Sequence, residues 1–501
     1  MGIKKTLATL VLAGMCILSP PQTAEAQAQT PERKIERYDG FCYGPFRKNE
    51  NPDKGVYPTK KEIEEDLSFV SKFTGKIRTY GNTDTLSAIP EICEKNNLDC
   101  YVGAWLGKER IENEKEINAL LKIAKSENKN IKGLIVGNEV TLRRDLKKQE
   151  LSDLIKKVND TTDIPVGTAE IWGSLVENKD IAKNADFILV HVHPYWEGIP
   201  IEKAPEYVIE RYKQIKEMFP DKKVMIGETG WPSRGKAMRG AVPSEENQKK
   251  FFKEFTGLAK KEKVPYFYFE AFDEDWKNKF EGEAGAYWGV LQSSGKLKPL
   301  FLELFNREVK NGIERKERKV EKILLKSGAV VYNEAGSSDN KFEPTGYMGE
   351  LESIAVERDC KDSPYSGKTC TKIKFSPQAG LSWAGVYWQY PINNWGDYPG
   401  YEMKDVSKLT FWARGDNGNE KAEFKVGGIN RDFHKDSTKK YGDSFGPKST
   451  SIINLTKEWK KYEIDLKRED LRSIIGGFCW TANAIQNPRG CKIYLDNIIF
   501  E

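Results

Sequence analysis

At 501 residues the chain is long enough for two or three domains, and 38% hydrophobic with 31% charged residues describes a well-solvated globular protein. Eighty basic against 75 acidic residues leave a net charge of only +5, which excludes the basic footprint of a nucleic-acid binder or a polybasic membrane contact. With three histidines and no CxxC among eight cysteines, zinc and redox frameworks lack support, and neither a metal nor a cofactor is expected.

The N-terminus carries an address. Lys4 and Lys5 precede an apolar run over residues 7–18, then Pro20, Pro21 and the small-residue site Ala24-Glu25-Ala26. That is the pattern of a secretory signal peptide cut after Ala26 or Ala28. Residues 1–28 are assigned to it, and the protein is expected to be secreted, periplasmic or at the cell surface. No later apolar run is long enough to span a bilayer. Export permits disulfides. The local pairs are Cys93 with Cys100, Cys360 with Cys370 and Cys479 with Cys491, and Cys42 is left over; spacing alone leaves the connectivity open.

Residues 29–310 read as one domain in which strand-like and helical stretches alternate. Apolar strand patterns fall at 41–46, 76–80, 98–106, 131–140, 164–170, 186–194, 222–229 and 264–272. Helical spacing falls between them at 60–72, 86–95, 115–126, 147–158, 175–183, 204–219 and 245–261, and a closing helix is expected over 299–310. Eight βα units over about 270 residues predict an α/β fold, a (β/α)8 TIM barrel. A doubly wound sheet would need a glycine-rich turn after the first strand, which Gly44-Pro45 does not provide.

In such a barrel, active sites lie at the C-terminal ends of the strands. Polar and aromatic residues collect there: Arg78 and Tyr80, Trp105, Asn138 and Glu139, Glu170, His193 and Tyr195, Glu228 and Trp231, Glu270 and Asp273. Glu139 closes the fourth strand and Glu228 the seventh. Two carboxylates facing each other across a barrel mouth are what glycosidic cleavage needs, one to protonate the leaving oxygen and one to attack or stabilise the anomeric carbon. Arg78 is placed to hold a nucleophile ionised. Asn138 and Glu139 are adjacent, so both reach the mouth only if the strand ends or bulges there. His191 and His193 share a strand face. They read as metal ligands or, lacking a third ligand, as a sugar contact and structural hydrogen-bonders.

Two segments carry a resemblance to glycoside hydrolase family 17, the β-1,3-glucanases, in its bacterial branch. Ile226-Gly227-Glu228-Thr229-Gly230-Trp231-Pro232-Ser233 matches the family signature, and Val136-Gly137-Asn138-Glu139-Val140 its acid/base motif. Further similarity runs through Arg78-Thr79-Tyr80, His193-Pro194-Tyr195-Trp196, Glu270-Ala271-Phe272-Asp273 and Trp276-Lys277. The resemblance implies a retaining mechanism with Glu228 as nucleophile and Glu139 as general acid/base. Arg78, Tyr80, Asn138, His193, Tyr195, Trp231, Glu270 and Trp276 are the expected substrate contacts, and a salt bridge to Lys277 explains Glu270 nearly as well.

Residues 311–328 are charge-dense without an apolar stripe and read as an exposed helix or linker. Beyond them, over 329–501, short β-rich runs are split by Gly, Pro, Asn and Asp, which predicts an all-β jelly-roll sandwich resembling carbohydrate-binding modules. Trp383, Tyr387, Trp388, Trp395, Trp412 and Trp480 are candidates for sugar stacking, and Asp496 for a structural calcium. The expectation is therefore a secreted, monomeric β-1,3-glucan hydrolase whose partner is a β-glucan polysaccharide or oligosaccharide. A transglycosylase built on the same glutamates and a non-catalytic glucan-binding protein are the alternatives.

Overall fold

The computed structural model describes residues 37–378, 382–429 and 439–501; the expected signal peptide lies outside them. Eight parallel strands close into a barrel in chain order: β1 (Phe41–Cys42), β2 (Lys76–Arg78), β3 (Asp99–Ala104), β4 (Ile131–Asn138), β5 (Val166–Ile171), β6 (Phe187–His191), β7 (Lys223–Thr229) and β8 (Tyr266–Tyr268). Closure is made by Phe41 of β1 pairing with Tyr268 of β8. The strands are buried on both faces, so they read as nearly continuous apolar runs rather than as alternations.

The connecting helices are α1 (Lys60–Val70), α2 (Ile89–Lys95), α3 (Arg110–Ala124), α4 (Val140–Arg143), α5 (Lys148–Asn159), α6 (Trp172–Glu177), α7 (Pro194–Glu197), α8 (Ala204–Met218), α9 (Glu245–Glu262) and α10 (Asn278–Gly285). Their spacing explains them. α1 opens on a Thr59–Glu62 capping box and buries Ile63, Leu67 and Val70. α9 is capped by Ser244 and buries Phe251, Phe252, Phe255 and Ala259. The closing helix expected over 299–310 is broken: a 3-10 turn at Pro299–Phe301 is followed by the single turn α11 (Arg307–Lys310).

Two antiparallel sheets follow. One holds β10 (Val330–Tyr332), β12 (Ile354–Cys360), β13 (Cys370–Phe375), β16 (Lys408–Gly415), β19 (Lys460–Asp465) and β21 (Cys491–Phe500). The other holds β11 (Glu343–Gly349), β14 (Trp383–Gln389), β17 (Lys421–Val426), β18 (Lys448–Asn454) and β20 (Gly476–Asn483). Two short strands, β9 (Leu324–Lys326) and β15 (Glu402–Lys404), pair apart from them. The sheets face each other across one apolar core, where Phe411 of the first meets Phe424 and Phe478 of the second at 4.8 and 5.1 Å. Trp388 and Trp480 lie in that core and Tyr387 is buried, so none of the three is free to stack on a sugar; Trp383 is 46% exposed. Asp496 accepts the backbone N–H groups of Ser366 and Asn497.

Two expectations need correction. The segment 311–323 forms no helix after Lys310 and is not simply an exposed linker. Arg315 is fully buried, pairs with Asp66 of α1 at 3.0 Å, donates to the Pro45 carbonyl and lies over Phe272. Arg47 also pairs with Asp66 at 3.1 Å, so the buried carboxylate sits between two guanidinium groups, one of them supplied by the charge-dense stretch. The seven described cysteines are buried free thiols. Cys360 and Cys370 do stand opposite each other on β12 and β13, whereas Cys479 and Cys491 lie in different sheets.

The β sheets dock on the loop after β1 and on the first turn of α3, both at the C-terminal end of the barrel. Lys54 meets the Asn393 carbonyl and Asp397, Tyr398 donates to the Asn49 carbonyl, and Arg358 bridges Glu112 of α3 and Glu343 of β11.

Candidate active site

Both glutamates stand where the barrel ladder slips by one residue. Between the pairs Ile135–Gly167 and Asn138–Ala169 the register advances three residues on β4 and two on β5. Between Val190–Ile226 and His191–Glu228 it advances two residues on β7 and one on β6. These bulges resolve the parity problem on β4. Gly137 (φ 77°) and Glu139 (φ 51°) take left-handed backbone, so the adjacent Asn138 and Glu139 both turn into the mouth. A left-handed conformation at a non-glycine residue is strained and clusters at functional sites. On β7 the bulged residue is Gly227, where a Cβ would lie 2.7 Å from Leu189 Cβ and 2.8 Å from His191 Cδ2.

The side chains converge on a buried network. Arg78 Nη1 donates to Glu228 Oε1 (3.1 Å) and Arg78 Nη2 to Asn138 Oδ1 (2.6 Å). His193 Nε2 lies 3.1 Å from Glu228 Oε2, and His191 Nδ1 lies 2.7 Å from Glu139 Oε1. One atom from each of Glu139, His191 and Glu228 lies within 4.8 Å of the others, which brings a carboxylate oxygen of Glu139 within that distance of one from Glu228. Burial alone would push the Glu228 carboxyl up, but its histidine neighbours, with a hydrogen bond from His193, and the Arg78 guanidinium outweigh it and hold the group well below the usual carboxylate range. Among the described residues this is the cluster whose donor atoms converge closely enough for a cation. Arg78 already places its guanidinium against His191 Nε2 and Glu228 Oε1.

Of the expected substrate contacts, Arg78, Asn138 and His193 join this network. Tyr80 lies over the Arg78 guanidinium at 4.5 Å, and its buried hydroxyl has no hydrogen-bond partner among the described residues. Because Arg78 only donates, it takes the carbonyl oxygen of Asn138 and leaves the amide N–H groups to face a ligand. Trp276 is half-buried, with Nε1 donating to Glu274 Oε1 at 3.2 Å.

Three of the expected contacts are buried against other side chains. Trp231 is 0% exposed, donates to the Val242 carbonyl (3.1 Å) and packs on Phe251 of α9. Tyr195 is 1% exposed and donates to the Lys236 carbonyl (2.6 Å). The two rings pack edge to face at 6.1 Å, where a buried aromatic side chain covers more area than at a rim. Glu270 is buried and paired with Lys277 at 2.6 Å, and Lys277 also holds Glu274 at 2.7 Å. Burial keeps the Glu270 carboxyl well above its ordinary range despite Lys277.

The open aromatic faces are elsewhere. Trp105, just past β3, is 43% exposed, and Trp196, on α7, is 38% exposed. Arg143 of α4 stacks on Trp105 at 4.1 Å, donates to the Leu106 carbonyl at 2.8 Å and also binds the Asn138 carbonyl, so it braces the strained turn that carries Glu139. Nothing in the sequence singles out Arg143. The bridging position of His191 was half legible, since residues 191 and 193 point to one face of a strand.

Residues 40–289 match the model of the BtgE/BtgC glycoside hydrolase domain. A glucan 1,3-β-glucosidase of Saccharomyces cerevisiae is 27% identical over 271 residues, 49% of this chain and 86% of that protein. The glucan endo-1,3-β-glucosidase btgC of Emericella nidulans is 28% identical over 276 residues, and the chain spans only 42% of its length. Among solved structures, a family 17 β-1,3-glucanosyltransferase from Rhizomucor miehei is 30% identical, with 52% of this chain and 96% of that one covered and a TM-score of 0.47. With a BtgE/BtgC glycoside hydrolase domain matched over residues 40–289, the barrel that carries both glutamates, the chain belongs to the glycoside hydrolases.

Proposed function

We propose that the protein cleaves β-1,3-glucosidic bonds of a β-glucan with retention of configuration. The observation that carries this reading is the close approach of Glu139 and Glu228, with carboxylate oxygens within 4.8 Å across the mouth. Oxygens this close favour a retaining pair, whose carboxyl groups lie about 5–5.5 Å apart, over an inverting pair, which stands about 6.5 Å or more apart. In the first step a carboxylate oxygen of Glu228 bonds to the anomeric carbon as the C1–O bond breaks. The electron pair goes to the leaving oxygen, which takes the proton of Glu139. In the second step water gives a proton to Glu139 while its oxygen displaces Glu228. Arg78 and His193 donate one hydrogen bond to each oxygen of Glu228, which keeps it ionised for attack. The β-1,3 linkage follows from the names of the S. cerevisiae, E. nidulans and R. miehei relatives.

Transfer to a second sugar in place of water is the alternative outcome of the same intermediate. The exposed Trp105 ring beside the Glu139 turn favours it, since it offers a stacking face for an acceptor. Incubation with laminarin and laminarioligosaccharides, followed by chromatography and anomeric proton NMR, tests both readings. Products of initial β configuration are expected. Initial α-anomer would refute retention, products longer than the donor would establish transfer, and no turnover of either substrate would refute the glucanase reading.

Three further readings belong with this one. Export rests on the charged-then-apolar N-terminus, and sequencing the N-terminus of protein recovered outside the cytoplasm tests it. Glucan binding by the C-terminal sheets is supported by exposed Trp383 and by the Tyr365–Trp412 ring stack at 3.7 Å; retardation in laminarin gels that Trp383→Ala abolishes would support it. A monomer is expected and is checked by light scattering.

A further inference from the structure

His191 contacts both carboxylates. Its Nδ1 lies 2.7 Å from Glu139 Oε1 and its Nε2 3.5 Å from Glu228 Oε1. The ring is fully buried and its movement is restricted on three sides. Arg78 Nη1 sits 2.8 Å from Nε2, Glu139 holds Nδ1, and the edge carrying Cδ2 lies against Gly227, where even a Cβ would come within 3.0 Å of Nε2. The backbone holds it too, because Val192 N donates to the Glu228 carbonyl next to the ring.

This geometry decides the tautomer. A guanidinium has donors and no acceptor, so Nε2 must accept from Arg78. The ring proton of neutral His191 is then on Nδ1, and that N–H donates to Glu139 Oε1. An oxygen that accepts this bond is not the one that carries the acid proton. None of the described residues hydrogen-bonds Oε2. We infer that His191 is a positioning residue that engages Oε1 of Glu139 and thereby assigns Oε2 as the oxygen that protonates the leaving group and later takes the proton from water. The inference rests on the acid/base role proposed for Glu139.

The consequence is a dependence on leaving group that a structural role would not produce. With laminarioligosaccharides the departing sugar oxygen needs a proton, and a positioned general acid contributes about 10²- to 10⁴-fold. With 2,4-dinitrophenyl β-laminaribioside the leaving group departs without one. His191→Phe should therefore lower kcat on laminarioligosaccharides at least about 100-fold, while the dinitrophenolate burst rate falls less than about 5-fold. His191→Asn places an amide N–H near the Nδ1 position and should recover at least about tenfold of the lost rate. His191→Gln, which reaches toward Nε2 and supplies no donor at Nδ1, should behave like the Phe variant and carries the test if His191→Phe does not fold. Equal losses on both substrates, no loss on either, or no difference between Asn and Gln would overturn the inference. A wild-type enzyme inert on both substrates would instead sink the glucosidase reading itself.

Discussion

At Glu228 burial and charge pull against each other, and charge wins. One donor reaches each carboxylate oxygen, so the group stays ionised in a site closed to solvent. Glu228→Gln keeps the shape and an acceptor for Arg78 but removes the nucleophile. It should lower kcat by about 10⁴-fold or more with circular dichroism and the melting point nearly unchanged; residual activity near the wild-type rate would refute its role. Glu170 shows the opposite balance. Burial pushes its carboxyl up to about 7, with the Thr141 N–H bond at 2.9 Å opposing only in part. The fold thus favours the protonated form. This contribution to stability is complete below the unfolded value of about 4.3 and is lost as pH rises through about 7. Glu170→Gln cannot titrate and keeps the acceptor for Thr141. It should remove a loss of up to roughly 3 kcal/mol between pH 5 and 8. Urea midpoints across that range test it, and wild-type and variant curves that run parallel would contradict it.

At the scale of elements the site is made by two bulges. A regular strand would send Asn138 and Glu139 to opposite faces. The extra residue on β4 and the left-handed turn after it bring both into the mouth, and Arg143 braces that turn. On β7 the bulge requires Gly227. Gly227→Ala would drive a methyl group into Leu189 and His191, so β6 and β7 must separate or the histidine must turn. A destabilisation of roughly 1–3 kcal/mol is expected, with a larger fractional loss of kcat than of substrate affinity. Denaturant melts and steady-state kinetics on laminarin measure the two effects. Unchanged activity would mean that His191 tolerates displacement.

For the molecule as a whole, the C-terminal sheets and the segment 311–323 are parts of the same packed body as the barrel. Arg315 reaches the core beside Asp66, while Lys54 and Arg358 tie loops at the catalytic end of the barrel to the sheets. Lys54 is buried and Arg358 partly so, so each depends on its partners across the junction to offset the cost of leaving water. The double variant Lys54→Ala/Arg358→Ala should split a single calorimetric transition into two and expose the basic 311–323 stretch to trypsin. A single unchanged transition would show that apolar contacts alone couple the units.

What the sequence determined by itself was local. Alternating strand and helix spacing announced a barrel, because hydrophobic periodicity reports which face of each element is covered. Counting its strands put Glu139 and Glu228 at one end of it, and the two motifs named the family. The tertiary structure decided what depends on residues far apart in the chain competing for the same volume. Trp231 was buried under α9 with Tyr195 packed on it, while Trp105 and Trp196 stayed open. A charged linker gave Arg315 to the core, where it joins Arg47 on the buried Asp66. His191, 52 residues from Glu139 along the chain, came to lie between the two carboxylates because barrel closure sets β4, β6 and β7 around one axis.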